Sequence, residues 1–226
     1  MSVEWELDHI ILMLDPRSGE GTEFVRRGLE PSYRRAHPGQ GTENLCFCFD
    51  NAFLELLWTR DRAELAANPL TRARLPERLN WAAQRACPFG IAIRPVANLA
   101  ETPDLPFKAW AYKPAYLPQG MAIRIATFCD NARLPFLFTA PPSGAPADWT
   151  DGRAGMRQMA AGFTRIVAVR LLLPYAPAPA LVRALKALPW IGVEWNTKSY
   201  GMDVFLEAEG GGIRRMTLPL AAPVPA

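Results

Sequence analysis

The chain has 226 residues, half of them apolar and 21% charged, with a formal net charge of +3. That balance supports a sizeable core in one compact domain or two closely packed modules, and it argues against disorder. The basic residues are dispersed in pairs such as Arg26-Arg27, Arg34-Arg35 and Arg214-Arg215; none forms the extended positive stripe that a phosphate backbone requires, so no nucleic-acid partner is expected. The opening Met1-Ser2-Val3-Glu4-Trp5-Glu6 is acidic and unlike a signal peptide. No apolar run reaches the roughly 18–20 residues of a membrane span, and the longest, around Ile166 to Leu173, is broken by Arg170. A soluble, cytoplasmic protein with no membrane partner is the expectation. Cys46, Cys48, Cys87 and Cys129 sit in apolar segments, where free cysteine behaves as a small hydrophobe, so buried reduced thiols are expected.

Trp5 to Leu14 reads as a buried strand, with Leu7, His9, Ile11 and Met13 on one side. Asp15-Pro16 ends it and opens a short helix carrying Phe24 and Val25 to about Arg27, with Gly28 as its left-handed stop. A polar, glycine-bearing passage follows, His37-Pro38-Gly39-Gln40-Gly41-Thr42. Two apolar strands, Asn44 to Phe49 and Ala52 to Thr59, are joined by the turn residues Asp50-Asn51. Strand, helix, irregular strand and hairpin together make a βαβββ unit.

Residues 61 to 86 read as helical, with Leu75, Leu79, Ala82 and Ala86 at helical spacing. A second unit opens with the strand Phe89 to Arg94, crosses a proline-rich connector from Thr102 to Pro118, and continues with strands Met121 to Phe128 and Leu134 to Thr139. The ending Phe128-Cys129-Asp130-Asn131 echoes Phe49-Asp50-Asn51 of the first unit. Ala140 to Gly155, rich in Gly, Pro and Asp, is the best candidate linker. A third βαβββ-like unit follows: strand Arg165 to Leu173, helix Ala180 to Leu188, and strands Ile191 to Asn196, Met202 to Ala208 and Ile213 to Leu218. The expected organisation is therefore residues 1–140 as two modules (1–60 and 87–140, joined by a helical connector), a linker over 141–160, and 161–226 packed on the first two modules. The fold class is α+β, with repeated βαβββ modules forming a cupped mixed sheet.

Four segments carry a family resemblance. Leu7-Asp8-His9-Ile10-Ile11-Leu12 resembles the opening strand of glyoxalase and dioxygenase-type modules. His37-Pro38-Gly39-Gln40-Gly41-Thr42-Glu43-Asn44 is similar to the histidine-proline-glycine signature of glyoxalase-like domain proteins. Phe53-Leu54-Glu55-Leu56-Leu57 looks like their closing glutamate strand, and Leu134 to Phe138 like the final strand of the second module. The chain thus resembles a small bacterial-type glyoxalase-like protein of the vicinal-oxygen-chelate (glyoxalase/bleomycin-resistance/dioxygenase) superfamily.

The resemblance implies a cup that holds a divalent metal and an oxygen-bearing ligand. His9 and Glu55 are then the metal-ligand and catalytic candidates, on neighbouring first and last strands of one module. An imidazole and a carboxylate suit Zn²⁺, Mn²⁺, Fe²⁺ or Ni²⁺. His37, Asn44 and Arg124 are the substrate-binding candidates, and Arg94 either pairs internally or faces the cup. The superfamily usually draws further ligands from a second module, but the matching positions here fall near Gly90 and Leu137, and in the third unit near Ala168 and Arg215, none of them a convincing ligand. Two functions stay open. One is an enzyme of the lyase, isomerase or dioxygenase kind acting on a small oxygenated metabolite; the other is a metal-free protein that binds or sequesters a small molecule. A small-molecule partner is expected in both, and a homodimer is compatible with either.

Overall fold

The computed structural model describes residues 3–14, 21–97, 99, 101–176 and 178–219. The strands within them form an eight-stranded and a four-stranded mixed sheet, with few helices, an α+β architecture. The first sheet contains β1 (Trp5–Met13), β2 (Tyr33–His37), β3 (Thr42–Cys48), β4 (Phe53–Thr59), β5 (Phe89–Pro95), β6 (Ala109–Tyr112), β7 (Ile123–Ala126) and β8 (Phe136–Thr139), in the order β2-β3-β4-β1-β5-β8-β7-β6.

That order is two copies of one connectivity set back to back. β1 runs parallel to β4 and β5 parallel to β8, while β1 and β5 pair antiparallel at the junction. The central strands β1, β4 and β5 are buried almost end to end, as their near-continuous apolar sequences require of strands covered on both faces. The first copy includes α1 (Thr22–Arg26), with Gly28 in the left-handed conformation behind it. Its expected cap at Asp15-Pro16 lies outside the described residues.

Several expectations change. Among the described residues no helix lies between β5 and β6, so the second copy bridges that gap with proline-rich chain. That chain nevertheless contributes β6, which sits at the sheet edge, where one side of the ladder needs no partner. The expected strand Met121 to Phe128 shortens to β7 and ends in a 3₁₀ turn over Thr127–Asp130. The helical stretch 61–86 is broken into α2 (Arg62–Ala67), a 3₁₀ turn, α3 (Leu75–Leu79) and α4 (Trp81–Gln84). Asp61 caps α2 through the N–H groups of Ala63 and Glu64, and Asn68 caps the 3₁₀ turn that starts at Pro69. Pro69 and Pro76 supply no N–H, so one continuous helix cannot form. Ala82, expected on the buried stripe, is exposed.

Arg78 on α3 is fully buried, and among the described residues no carboxylate forms an ion pair with it. It donates instead to the carbonyls of Ala73, Cys87, Cys129, Asn131 and Leu134. It thereby ties the connector to the turn that precedes β8.

The second sheet contains β9 (Phe163–Leu173), β10 (Ile191–Trp195), β11 (Gly201–Ala208) and β12 (Ile213–Leu218), in the order β10-β9-β11-β12. The elements come in the expected sequence, but their pairing differs from the first two units. Here α5 (Pro179–Lys186) buries Leu181, Ala184 and Leu185 and returns the chain as β10, parallel and adjacent to β9. That is a direct βαβ crossover, whereas in the first two units the opening strand pairs in parallel with the last. Asn51 locks the two sheets together, donating to the carbonyl of Ile166 and accepting from its N–H. One hydrophobic cluster runs through both. Among the described residues no helix is long and apolar enough to cross a membrane.

Candidate functional site

In a strand, successive side chains point to opposite faces. The register pairs His9 with Phe53 and Ile11 with Glu55, so all four side chains share the concave face of the first sheet. His9 Nε2 lies 3.3 Å from Glu55 Oε2. The ladder between β1 and β5 slips between Leu7 and His9, leaving Asp8 as a bulge residue. The Asp8 carboxylate thereby reaches its own chain neighbour, with Oδ1 2.6 Å from His9 Nδ1. Behind it, Arg94 donates to Asp8, to Glu6 and to the carbonyl of Asn51.

The string continues on the other side of Glu55. The Asn44 amide donates to Glu55 Oε1 at 2.7 Å, and its oxygen accepts from the N–H of Arg35, which fixes which end of the amide faces the carboxylate. His37 Nε2 lies 3.5 Å from the same Asn44 nitrogen, and its Nδ1 lies 3.0 Å from Thr42 Oγ1. A buried polar network thus runs Arg94–Asp8–His9–Glu55–Asn44–His37–Thr42, as buried polar groups require.

His9, Glu55, Asn44 and His37 form one wall of a cavity of about 170 Å³. The facing wall is apolar and comes largely from the second copy: Ile123, Ile125, Phe136 and Phe138, joined by Leu70 and Leu75. The His9 ring stacks on Phe53 at 4.4 Å and meets Phe138 edge-on at 5.5 Å. The sheet curls until its outer strands meet across the cup. Tyr112 and Tyr116 reach Gln40, Asn68 bridges Gly39 and Tyr112, and the Arg35 guanidinium lies 5.5 Å over the Tyr116 ring. Beyond Pro141, no described residue lines the cavity, so the four-stranded sheet contributes nothing to its wall.

The protonation chemistry follows from geometry. With Nδ1–H given to Asp8, a neutral His9 would turn a lone pair toward the Glu55 carboxylate. Nε2 faces Glu55 Oε2 at 3.3 Å, so a protonated imidazole would pair with that carboxylate. Burial holds the His37 imidazole below its usual range, against the opposing pull of Glu55. Burial and the neighbouring Cys46 push the Tyr33 phenol up, and burial together with Glu55 pushes the Cys46 thiol well above its usual value. Both stay neutral at physiological pH.

A divalent centre takes three or more protein ligands in most sites of this chemistry. Among the described residues no three His, Cys, Asp or Glu side chains are grouped to hold an ion. His9 and Glu55 are two donors, and His9 turns its second nitrogen to Asp8. On the second copy, the β8 side chains facing the cup are Phe136 and Phe138, and Gly90 on β5 is packed against Ile11. This set does not fit a divalent metal centre.

Of the residues expected from sequence, the fold brings His9, His37, Asn44 and Glu55 together, and Arg94 pairs internally. Arg124 is a correction. Its neighbours Ile123 and Ile125 line the cup, so strand alternation turns Arg124 to solvent, where it is exposed. The glycines of the 38–41 turn serve local packing. Gly41 sits against the backbone of Asp61 and Leu65, and the Gly39 N–H donates to Glu64. Sequence reasoning missed Asp8, Arg35, Gln40, Tyr112 and Tyr116. Asp8 left a signal as the residue beside His9 in the opening motif, and Gln40 as a member of the His37–Thr42 passage.

No curated protein matches the chain. A family profile described as "Glyoxalase-like domain" matches residues 7–178, which includes β1 with His9, the His37 turn, the Glu55 strand and the apolar wall of the second copy. The chain therefore belongs to the glyoxalase-like domain family.

Proposed function

We propose that the protein is an enzyme that moves a proton on a small oxygenated metabolite held in the cup, with Glu55 as the base and His9 as the partner that shares its proton. One observation carries this reading: the Asp8–His9–Glu55 series, carboxylate–imidazole–carboxylate, at the buried wall of an otherwise apolar cavity. Asp8 orients the imidazole, as a carboxylate does in triad chemistry. The low-dielectric surroundings strengthen its interaction with a developing charge. A proton on a carbon beside a carbonyl or hydroxyl is the chemistry a buried carboxylate base suits, which supports a lyase or isomerase reading. Incubation with small ketones, aldehydes and hydroxy acids in D₂O, followed by proton NMR, tests it. Deuterium should enter at the carbon next to the oxygenated one, and Glu55→Gln should stop it.

The second reading is a protein that binds or sequesters a small amphipathic compound without transforming it. It is favoured by the Phe136–Phe138 wall, which stands where the superfamily's second module usually contributes polar ligands. Under that reading no deuterium enters any compound that binds, and Glu55→Gln alters affinity alone.

A further inference from the structure

We infer that the ligand of the cup is a carboxylate with an apolar body about the size of a single ring, its charged end held by Arg35 at the mouth; this rests on the cup being a small-molecule site. Arg35 lines the cavity and is exposed, with its guanidinium on the Tyr116 ring. Among the described residues no carboxylate lies within ion-pair distance of it. The nearby acidic groups are engaged elsewhere, Glu43 by both nitrogens of the Arg34 fork and Glu64 by the Gly39 N–H. The deeper charges are arranged around one another, Arg94 with Asp8 and Glu6, and His9 between two carboxylates. Of the charged side chains on the cavity wall, Glu55 sits at the floor beside His9, and Arg35 sits at the entrance with no carboxylate paired to it among the described residues. A guanidinium pre-organised on an aromatic face is suited to a carboxylate.

Orientation follows from the same charges. Glu55 repels an anion at the floor, so the acid end stays at Arg35 and the body points inward. Arg35 pairs with Asn44 across β2 and β3, and Asn44 with Leu57 across β3 and β4. Glu55 lies two residues from Leu57 along β4, so with a strand spacing of about 4.8 Å and about 3.4 Å per residue the backbone positions of Arg35 and Glu55 are about 12 Å apart. A ring with one short acid arm spans that gap. The volume agrees, since an apolar cavity of about 150 Å³ takes up benzene and this one measures about 170 Å³.

Calorimetric titration of the full chain with phenylacetate, with its neutral isostere phenylacetamide, and with the cation 2-phenylethylamine tests the inference. Phenylacetate should bind at least tenfold tighter than phenylacetamide, with the amine weakest, and the preference should shrink as salt is raised. Arg35→Gln should erase the preference, and Arg35→Lys should keep part of it, which separates charge from packing on Tyr116. Equal affinity for acid and amide, or a preference that survives Arg35→Gln, overturns the carboxylate assignment while leaving the cup as a binding site. If none of the three binds, both the assignment and the reading of the cup fall.

Discussion

Asp8 and His9 are consecutive residues of one strand, yet their side chains meet, Oδ1 to Nδ1 at 2.6 Å, because the strand bulges between Leu7 and His9. An unbroken ladder would have sent them to opposite faces. The bulge gives the imidazole a fixed tautomer and leaves its other nitrogen for Glu55. Asp8→Asn keeps the size and can still hydrogen-bond, but it removes the charge that orients and stabilises the imidazole. Proton exchange should fall by about 100-fold, the lower end of what general acid–base catalysis contributes, with unchanged circular dichroism. Wild-type exchange in this variant would remove Asp8 from the mechanism.

His37 ties folding to pH. An unfolded histidine takes up its proton near pH of about 6.5, whereas burial holds the folded His37 imidazole below that value. The unfolded chain then binds more protons, so this group's contribution to stability is present at neutral pH and is lost as pH falls through and below that range. The urea midpoint should drop between pH 7.5 and 5. His37→Gln, which can still bond to Thr42, should flatten that dependence, and an unaltered slope in the variant would refute the assignment.

The legibility of this protein in its sequence divides along physical lines. Long strands buried on both faces, β1 and β4, declare themselves by their apolar runs and carry His9 and Glu55 with them. Asn44 and His37 follow because their turn has distinctive chemistry. Short strands near the rim are harder to read. β7 has four residues, and nothing local says which of Ile123 and Arg124 faces inward. Tyr112 and Tyr116 lay hidden in proline-rich chain, since their role comes from the curl of the whole sheet. The element order of the third unit matches that of the first, but order does not decide pairing. A well-formed α5 makes the near crossover, and the strands rearrange around it.

Arg78 is a strong test of how the second copy is held. Its guanidinium serves five carbonyls, among them those of Cys129 and Leu134 on either side of the turn before β8. Arg78→Met preserves bulk but strips those acceptors of their donors, each a buried group whose loss of a partner is costly. A loss of about 3 kcal/mol or more is expected, measured by urea unfolding. A loss of about 0.5 kcal/mol or less, within the range of ordinary surface changes, would mean that water replaces the guanidinium.

The thiols give a chemical readout of the core. Cys46, Cys48, Cys87 and Cys129 are free and buried, and burial pushes Cys48, Cys87 and Cys129 up to about 11. The thiolate is the reactive form, so Ellman's reagent at pH 8 should find almost none of the four thiols in the native protein and all four in guanidinium. Rapid reaction of one thiol in the native state would contradict the packing around it.

The two glycines of the His37 turn separate backbone conformation from close approach. Both have positive φ, 76° at Gly39 and 74° at Gly41. A Cβ at Gly39 would meet open space, so Gly39→Ala should cost only the left-handed penalty of about 1–2 kcal/mol. At Gly41 the same atom would fall 2.3 Å from the Asp61 carbonyl oxygen and 2.4 Å from the Leu65 nitrogen. These are backbone atoms, and Asp61 also accepts the N–H of Leu65 at the start of α2, so they yield only if the hairpin and helix separate. Gly41→Ala should therefore cost about 3 kcal/mol or more, the strain of overpacking added to that of the backbone. Because the hairpin carries His37 and Gln40 to the cavity wall, the variant should also lose ligand affinity, whereas Gly39→Ala should retain it. Equal stabilities for the two variants in urea would show that α2 moves aside easily and that the turn is not what holds His37 in the cup.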